Sequence, residues 1–140
     1  MNVKRFILTC VVVFIFIFFF EWLFHGVILA GIYAWTPALW RTEQEMFGLF
    51  QWLVIGQILF SVMISFIFVK GYENRGIGEG VRYGIIMGLL FSAPSLIMYA
   101  VAPYPKRLVA YWIIGGFVEM IIAGIILAAT YRPPCSCKEA

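Results

Sequence analysis

Four apolar segments, each long enough to cross a lipid bilayer, constrain the fold of this chain more than any other feature. They cover residues 6–35, 46–69, 83–104 and 108–131. A helix needs roughly 20 apolar residues to cross the hydrocarbon core, whereas a membrane β-strand shows about ten residues of alternating polarity. These segments do not alternate. The chain is therefore predicted to be an all-α transmembrane four-helix bundle, with residues 1–140 in a single membrane domain and residues 132–140 as a tail.

The composition leaves little room for a water-soluble domain. Apolar residues make up 64% of the chain and charged residues only 12%, against about 25% charged residues in ordinary soluble domains. The lipid bilayer is thus the predicted partner, and the net charge of +3 is interpreted as a topology signal, with no indication of nucleic-acid binding. The predicted location is the cell membrane, as a multi-pass protein of a bacterial inner membrane.

The distribution of basic residues predicts which side of the membrane the termini occupy. If the N-terminus is cytoplasmic, seven basic residues lie inside: Lys4, Arg5, Lys70, Arg75, Arg82, Arg132 and Lys138. Three lie outside: Arg41, Lys106 and Arg107. Because cytoplasmic loops carry an excess of Lys and Arg, both termini are predicted to be cytoplasmic.

Glu21 and His25 are two ionisable residues one helical turn apart within the first apolar segment, and His25 is the only histidine of the chain. Ionisable groups inside a bilayer are costly and mark candidate functional sites. Two interpretations fit the pair. It either forms a purely structural hydrogen bond, or it binds a ligand or a proton.

The other three segments each carry a polar residue at a similar depth. With a rise of about 1.5 Å per residue, Gln57, Ser92 and Glu119 fall near the midplane of their helices. Burial in lipid disfavours the charged form of a carboxyl, so Glu119 is either a proton carrier or a neutral hydrogen-bonding group. The predicted ligand- or proton-binding site combines five residues: Glu21, His25, Gln57, Ser92 and Glu119.

Small residues predict where the helices pack closely. Gly84 and Gly88 lie on one face of the third segment, and Gly115 and Gly116 lie in the fourth. Such stripes let helix backbones approach each other in membranes. Pro94, in the third segment, is predicted to kink its helix.

The connector after the first segment carries two local signals. Pro37 disfavours helical geometry at Thr36 and predicts a break there. Thr42 followed by Glu45 predicts a capping box at the start of the next helix.

The cysteines do not complete a metal site, and no metal is predicted. Cys10 lies inside the first segment, and Cys135 and Cys137 lie in the tail. Two thiolates alone do not make a zinc site. The tail pair is interpreted as free thiols, with lipidation beside basic residues or weak binding of a soft metal as alternatives.

Part of the chain resembles a known family. Residues 84–96 (GIIMGLLFSAPSL) followed by Tyr99, the helix-4 residues 124–127 (GIIL), and residues 31–37 (GIYAWTP) are similar to stretches of small four-span bacterial integral membrane proteins known only as a domain of unknown function. The resemblance implies four membrane spans and carries no activity.

Three functions fit these observations. The first is binding or transport of a small ligand or protons at the polar site. The second is a non-catalytic accessory subunit of a larger membrane complex, or a homo-oligomer. The third is ligation of haem or chlorophyll by His25, which alone supplies one axial ligand; the cofactor, if any, is left unknown. No nucleophile, base and orienting residue are suitably spaced, so the sequence leans against an enzyme.

Overall fold

A computed structural model describes residues 2–132 of the chain. In this part every regular element is helical and no strand is present. The elements are α1 (Val3–Leu23), a π-helical turn (Phe24–Ile28), α2 (Ala30–Ala34), a 3-10 turn (Pro37–Leu39), α3 (Glu43–Gly48), α4 (Phe50–Lys70), α5 (Ile77–Val101) and α6 (Lys106–Thr130). Cys135 and Cys137, with all of the predicted tail beyond Arg132, lie outside the described residues.

Four of the helices are long and apolar enough to cross a membrane: Val3–Ile28, Phe50–Lys70, Ile77–Val101 and Lys106–Thr130. The predicted all-α fold with four long apolar helices is therefore confirmed. Bulky apolar side chains cover the outside of each helix, and only the residues at the helix contacts are buried. This distribution is compatible with a polytopic membrane protein, in which lipid solvates the outer faces.

The first predicted segment, residues 6–35, is divided into consecutive pieces in the structure. α1 ends at Leu23, the π-helical turn follows, and α2 ends at Ala34. In the π turn the N–H of Leu29 donates to the carbonyl of Phe24 at 2.9 Å. The predicted break before Pro37 is confirmed, because Thr36 leaves helical geometry with φ −129° and ψ 48°.

The connector to α4 contains a separate short helix. Thr42 Oγ1 accepts a hydrogen bond from the Glu45 N–H at 3.3 Å, and the Thr42 N–H donates to Glu45 Oε2 at 2.9 Å. The predicted capping box is thereby confirmed. The helix that it opens ends at Gly48, and α4 begins at Phe50; the predicted segment 46–69 thus includes a change of helix.

The loop between α4 and α5 is held by the carboxylate of Glu79. Its two oxygens accept hydrogen bonds from the backbone N–H groups of Glu73, at 2.7 Å, and Arg75, at 2.9 Å. Glu79 lies in the first turn of α5, where the helix dipole favours a negative charge. Arg82 donates to the Glu73 carboxylate at 2.7 Å and holds the pKa of Glu73 below its ordinary value. With these charged contacts in place, α5 begins at Ile77, whereas the predicted segment begins at residue 83.

Removing the Glu79 carboxylate is expected to destabilise this end of the protein. Each hydrogen bond to a charged group contributes about 1.5–3 kcal/mol, and water can replace the lost acceptor because Glu73 and Arg75 are exposed. We therefore expect Glu79→Ala to reduce the free energy of unfolding by about 2–4 kcal/mol. Unfolding in mixed micelles, followed by tryptophan fluorescence, measures the change. Glu73→Ala removes the same charge from an exposed position and is expected to cost much less. Equal losses in the two variants would contradict the role given to Glu79.

α5 and α6 form the closest helix pair, and backbone meets backbone where glycines lie in their contact. A Cβ atom added at Gly80 would collide with the carbonyl of Gly124, one added at Gly124 with the carbonyl of Gly80, and one at Gly84 with the backbone of Met120. At Gly88 a Cβ would lie 2.9 Å from the ring of Phe117. Glycine is therefore required along this contact.

α1 completes the bundle by packing against α4 and α6. A Cβ at Gly115 of α6 would collide with the Phe24 ring, whereas nothing lies within 4 Å of a Cβ at Gly116. Of the predicted packing glycines, Gly84, Gly88 and Gly115 thus lie at helix contacts and Gly116 does not. The buried core comprises residues of all four long helices: Val13, Ile17, Ile64, Phe68, Met87, Met120, Ala123 and Leu127.

Pro94 lies inside α5, which continues without interruption from Ile77 to Val101. Proline has no N–H, so it cannot donate to the carbonyl four residues earlier in the helix. A kink at this position stays a prediction.

Candidate functional site

A groove of about 680 Å³ lies between α1, α4 and α6 and contains four of the predicted site residues. Its volume falls within the range of about 300–1,000 Å³ typical of small-molecule sites. Its polar lining comprises Glu21, His25, Gln57 and Glu119. Its apolar lining is largely aromatic: Phe18, Trp22, Phe50, Trp52, Phe60 and Phe91, with Ile17, Leu53 and Met120. Trp22 and Trp52 are well exposed, so the groove is open at its edge.

α1 and the π turn that follows it bring Glu21 and His25 together. His25 Nε2 lies 3.2 Å from Glu21 Oε2. Glu21 is in the last turn of α1, and His25 is the second residue of the π turn. π turns inside α-helices often occur at functional sites, since they widen the helix and change the direction of its side chains.

A tyrosine and a tryptophan extend this pair towards the end of the bundle. Tyr33 Oη lies 2.5 Å from His25 Nδ1, and the indole Nε1 of Trp112 donates to Tyr33 Oη at 2.8 Å. Tyr33 belongs to α2 and Trp112 to α6, so this contact joins distant parts of the chain. Burial raises the pKa of the Tyr33 hydroxyl above its ordinary value, and the tyrosine is therefore a neutral hydroxyl at physiological pH.

The tautomer of His25 decides the direction of its hydrogen bond with Tyr33. An indole N–H only donates, so Tyr33 Oη accepts from Trp112 and keeps its own proton for another acceptor. With a neutral imidazole that acceptor is His25 Nδ1, and the ring proton lies on Nε2, 3.2 Å from Glu21 Oε2. This arrangement leaves His25 neutral and Glu21 with the negative charge.

Glu119 lines the same groove from α6. It is 6% exposed, whereas the Glu21 side chain is 34% exposed. Desolvation penalises the charged form of a carboxyl, so we assign a proton to the more buried Glu119 and the negative charge to Glu21.

This assignment gives the site a single net negative charge. Glu21 contributes −1, and His25, Glu119, Tyr33 and Trp112 are neutral. The Glu21 side chain is 34% exposed and lies 3.2 Å from His25 Nε2, so its charge has polar surroundings at the edge of an apolar groove.

Gln57 and Ser92 differ in their relation to the groove. Gln57 lines it from α4, and its Oε1 atom is buried. Ser92 does not line the groove, and its hydroxyl donates to the carbonyl of Gly88 at 2.7 Å within α5. The structure therefore brings Glu21, His25, Gln57 and Glu119 together and leaves Ser92 apart from them.

An aromatic cluster closes one end of the site. Its members are Tyr33, Trp40, Tyr104 and Trp112, with ring centroids 5.0–6.1 Å apart for the contacting pairs. Trp40 also donates a hydrogen bond to Thr36 Oγ1 at 3.0 Å. The cluster holds the Tyr33 hydroxyl in place between His25 and Trp112, since the ring of Tyr33 contacts that of Trp40 edge to face.

Both ring nitrogens of His25 have a polar partner, because Nε2 lies 3.2 Å from Glu21 Oε2 and Nδ1 is hydrogen-bonded to Tyr33. Axial ligation of a haem or chlorophyll by His25 would require one of these contacts to break. Within residues 2–132, no group of three or more His, Cys, Asp or Glu side chains is arranged to hold a metal ion.

Comparison with known proteins gives no match: no protein-family model, no curated protein and no solved structure is similar to the chain. The resemblance to a four-span bacterial family therefore stays a prediction, and the function has to be inferred from the site.

Sequence reasoning missed Tyr33 and Trp112 as members of the site. Both are aromatic residues near the ends of apolar segments, where such residues are common at the membrane interface. A tyrosine one or two turns after an intramembrane histidine is a signal that reasoning from the sequence could have used. Trp112, 79 residues further along the chain, gives no comparable signal.

Proposed function

We propose that this chain is a multi-pass membrane protein that binds a small ligand in the groove between α1, α4 and α6, together with a proton shared among Glu21, Glu119 and His25. The observation that supports this most strongly is the convergence of these three titratable side chains on one groove. Ionisable residues within apolar helices are costly, and structural pairing alone does not require them to line an open groove.

The proton is part of the proposal because the titratable groups lie beside one another at the groove. Glu119 and Glu21 both line it, Glu21 Oε2 lies 3.2 Å from His25 Nε2, and His25 Nδ1 is hydrogen-bonded to Tyr33. A ligand that alters the charge at Glu21 changes the cost of holding the proton on Glu119. Ligand binding and proton binding are therefore expected to be coupled, and this coupling is what a proton-driven transporter would use.

We also propose that both termini are cytoplasmic, in a bacterial inner membrane. The N–H of Asn2 donates to Tyr131 Oη at 3.2 Å, and the ring of Tyr72 contacts that of Tyr131 at 5.3 Å. These contacts support one shared end for the start of α1, the α4–α5 loop and the end of α6. Six basic residues lie at this end, Lys4, Arg5, Lys70, Arg75, Arg82 and Arg132, against Arg41, Lys106 and Arg107 at the other, which favours the cytoplasm.

Ligand binding to protein in phosphatidylcholine nanodiscs tests the proposed function. A suitable panel shares a phenylbutyl body and varies the head group: primary amine, trimethylammonium, alcohol and carboxylate. Isothermal titration calorimetry, corrected with empty nanodiscs, is expected to show saturable binding of at least one member. Repeating the titration in buffers of different ionisation enthalpy gives the number of protons exchanged.

A matched pair of double variants provides the control. Glu21→Gln with Glu119→Gln is expected to abolish binding, because both carboxyl groups of the groove are lost. Glu43→Gln with Glu45→Gln removes the same two groups from α3, away from the groove, and is expected to bind as the unaltered chain does. Absence of binding for every compound, or equal binding by the two double variants, would falsify the proposed function.

A further inference from the structure

Two buried oxygen atoms at the groove lack a hydrogen-bond donor. They are Oε1 of Gln57 and Oε1 of Glu119, and no donor within residues 2–132 reaches either of them. Both residues line the groove, one from α4 and the other from α6. A buried acceptor without a donor is costly, so these atoms are complementary to a ligand that supplies N–H or O–H groups.

The charge of the site restricts the ligand further. With the protons assigned as above, Glu21 is the single charged group among the polar residues that line the groove. An anionic ligand would meet this carboxylate at close range in an apolar setting, where repulsion is large. A ligand with one positive charge neutralises it. The Glu21 and Glu119 side chains together thus favour a monovalent cation over a neutral or anionic compound.

The remaining wall of the groove is apolar and fits a hydrocarbon body. It is formed mainly by six aromatic side chains: Phe18, Trp22, Phe50, Trp52, Phe60 and Phe91. Aromatic faces attract a desolvated cation and also stack against planar rings. Since Trp22 and Trp52 are exposed at the edge of the groove, a compound dissolved in the surrounding lipid has direct access.

We propose that the groove binds an amphiphilic primary amine in its protonated form, with an aryl or alkyl body among the aromatic side chains. The ammonium pairs with the Glu21 carboxylate and donates hydrogen bonds to Gln57 Oε1 and Glu119 Oε1. This inference rests on the proposed function and names the chemical class of its ligand. An ammonium with three N–H groups supplies one donor to each of these three acceptors.

The panel of phenylbutyl compounds distinguishes this inference from the proposed function. Phenylbutylamine is expected to bind at least tenfold more tightly than its trimethylammonium analogue, which has the same charge and no N–H group. The alcohol and the carboxylate are expected to bind more weakly still. If the trimethylammonium compound, the alcohol or the carboxylate binds as tightly as the amine, the inferred ligand class is wrong, although the proposed function survives. If no compound binds, both are wrong.

A substitution at Gln57 tests the role of the donors separately from the charge. Gln57→Leu is expected to weaken binding of the amine about tenfold and to leave the affinity of the trimethylammonium analogue unchanged, since only the amine donates to Oε1. A merely structural role of Gln57 would weaken both compounds alike and would overturn the inference. Gln51→Leu, on the exposed surface of the same helix, serves as the control and is expected to alter neither affinity. Gln57→Asn, which keeps an amide acceptor, is expected to restore part of the amine preference.

Discussion

Gly124→Ala is expected to lower the free energy of unfolding by about 3 kcal/mol, at the upper end of what overpacking costs. The new Cβ atom would collide with the carbonyl oxygen of Gly80 and lie 3.2 Å from the Gly84 nitrogen. These neighbours are backbone atoms of α5, which no change of side-chain rotamer can move. The collision is therefore relieved only if α5 and α6 move apart along their whole contact. This separation also loses dispersion contacts between the two helices.

Gly116→Ala is the matched control, on the same helix and with the same change of one methyl group. Nothing lies within 4 Å of its added Cβ atom. Because alanine favours a helix over glycine, this variant is expected to be unchanged or more stable by up to about 1 kcal/mol. Unfolding by sodium dodecyl sulfate in mixed micelles, followed by circular dichroism, measures both. A loss at Gly116 equal to that at Gly124 would show that the α5–α6 contact is not the cause.

The sequence predicts the four long helices because hydrophobicity over 20 residues depends on composition alone. The contact between α5 and α6 was only partly predictable. Gly84 and Gly88 lie on one face of the predicted segment 83–104. Gly80 lies beside the charged residue Glu79, before the predicted start of that segment. Only the structure shows that the Glu79 carboxylate binds loop N–H groups and thereby places Gly80 inside α5. Gly124 lies in the fourth segment, where several small residues compete as contact positions.

The candidate site, like the fold, was only partly predictable from the sequence. Depth along a helix can be counted from the sequence, and it places Gln57, Ser92 and Glu119 at similar levels. Rotation about the helix axis and local distortion cannot be counted in this way. Ser92 bonds within its own helix instead of facing the groove, and the π turn at His25 redirects that side chain towards Tyr33. Both outcomes depend on how neighbouring helices pack. The sequence of a single helix does not determine that packing.

The difference in exposure also gives the two carboxyl groups of the groove unequal roles. The half-exposed Glu21 lies beside His25 and is assigned the charge, whereas the buried Glu119 is assigned the proton and is neutral. Glutamine is a close mimic of a protonated glutamate, since its amide N–H₂ donates and its carbonyl accepts. It is a poor mimic of a carboxylate, because it has no charge.

Glu21→Gln is therefore expected to weaken binding of phenylbutylamine by at least a hundredfold, whereas Glu119→Gln weakens it by less than fivefold. Loss of a charge-assisted hydrogen bond costs about 1.5–3 kcal/mol, and loss of the ionic attraction in the apolar groove adds to it. Calorimetry in phosphatidylcholine nanodiscs measures both affinities. The number of protons exchanged on binding separates the variants again, because Glu119→Gln removes the carboxyl group whose proton affinity the amine changes and is expected to bring this number close to zero.

Nitrogen-15 spectra of His25 provide an independent check of the same assignment. In the assigned arrangement Tyr33 donates to Nδ1, so the spectra are expected to show the tautomer with its proton on Nε2. Replacing Tyr33 by phenylalanine removes that donor and is expected to mix the two tautomers. Two results would contradict the assignment of the proton to Glu119 and of the charge to Glu21. One is an equal loss of affinity in the two glutamate variants, and the other is a doubly protonated His25 in the unaltered protein. The groove would in that case present no net charge to the amine, and the preference for a cation would have to come from the aromatic wall alone.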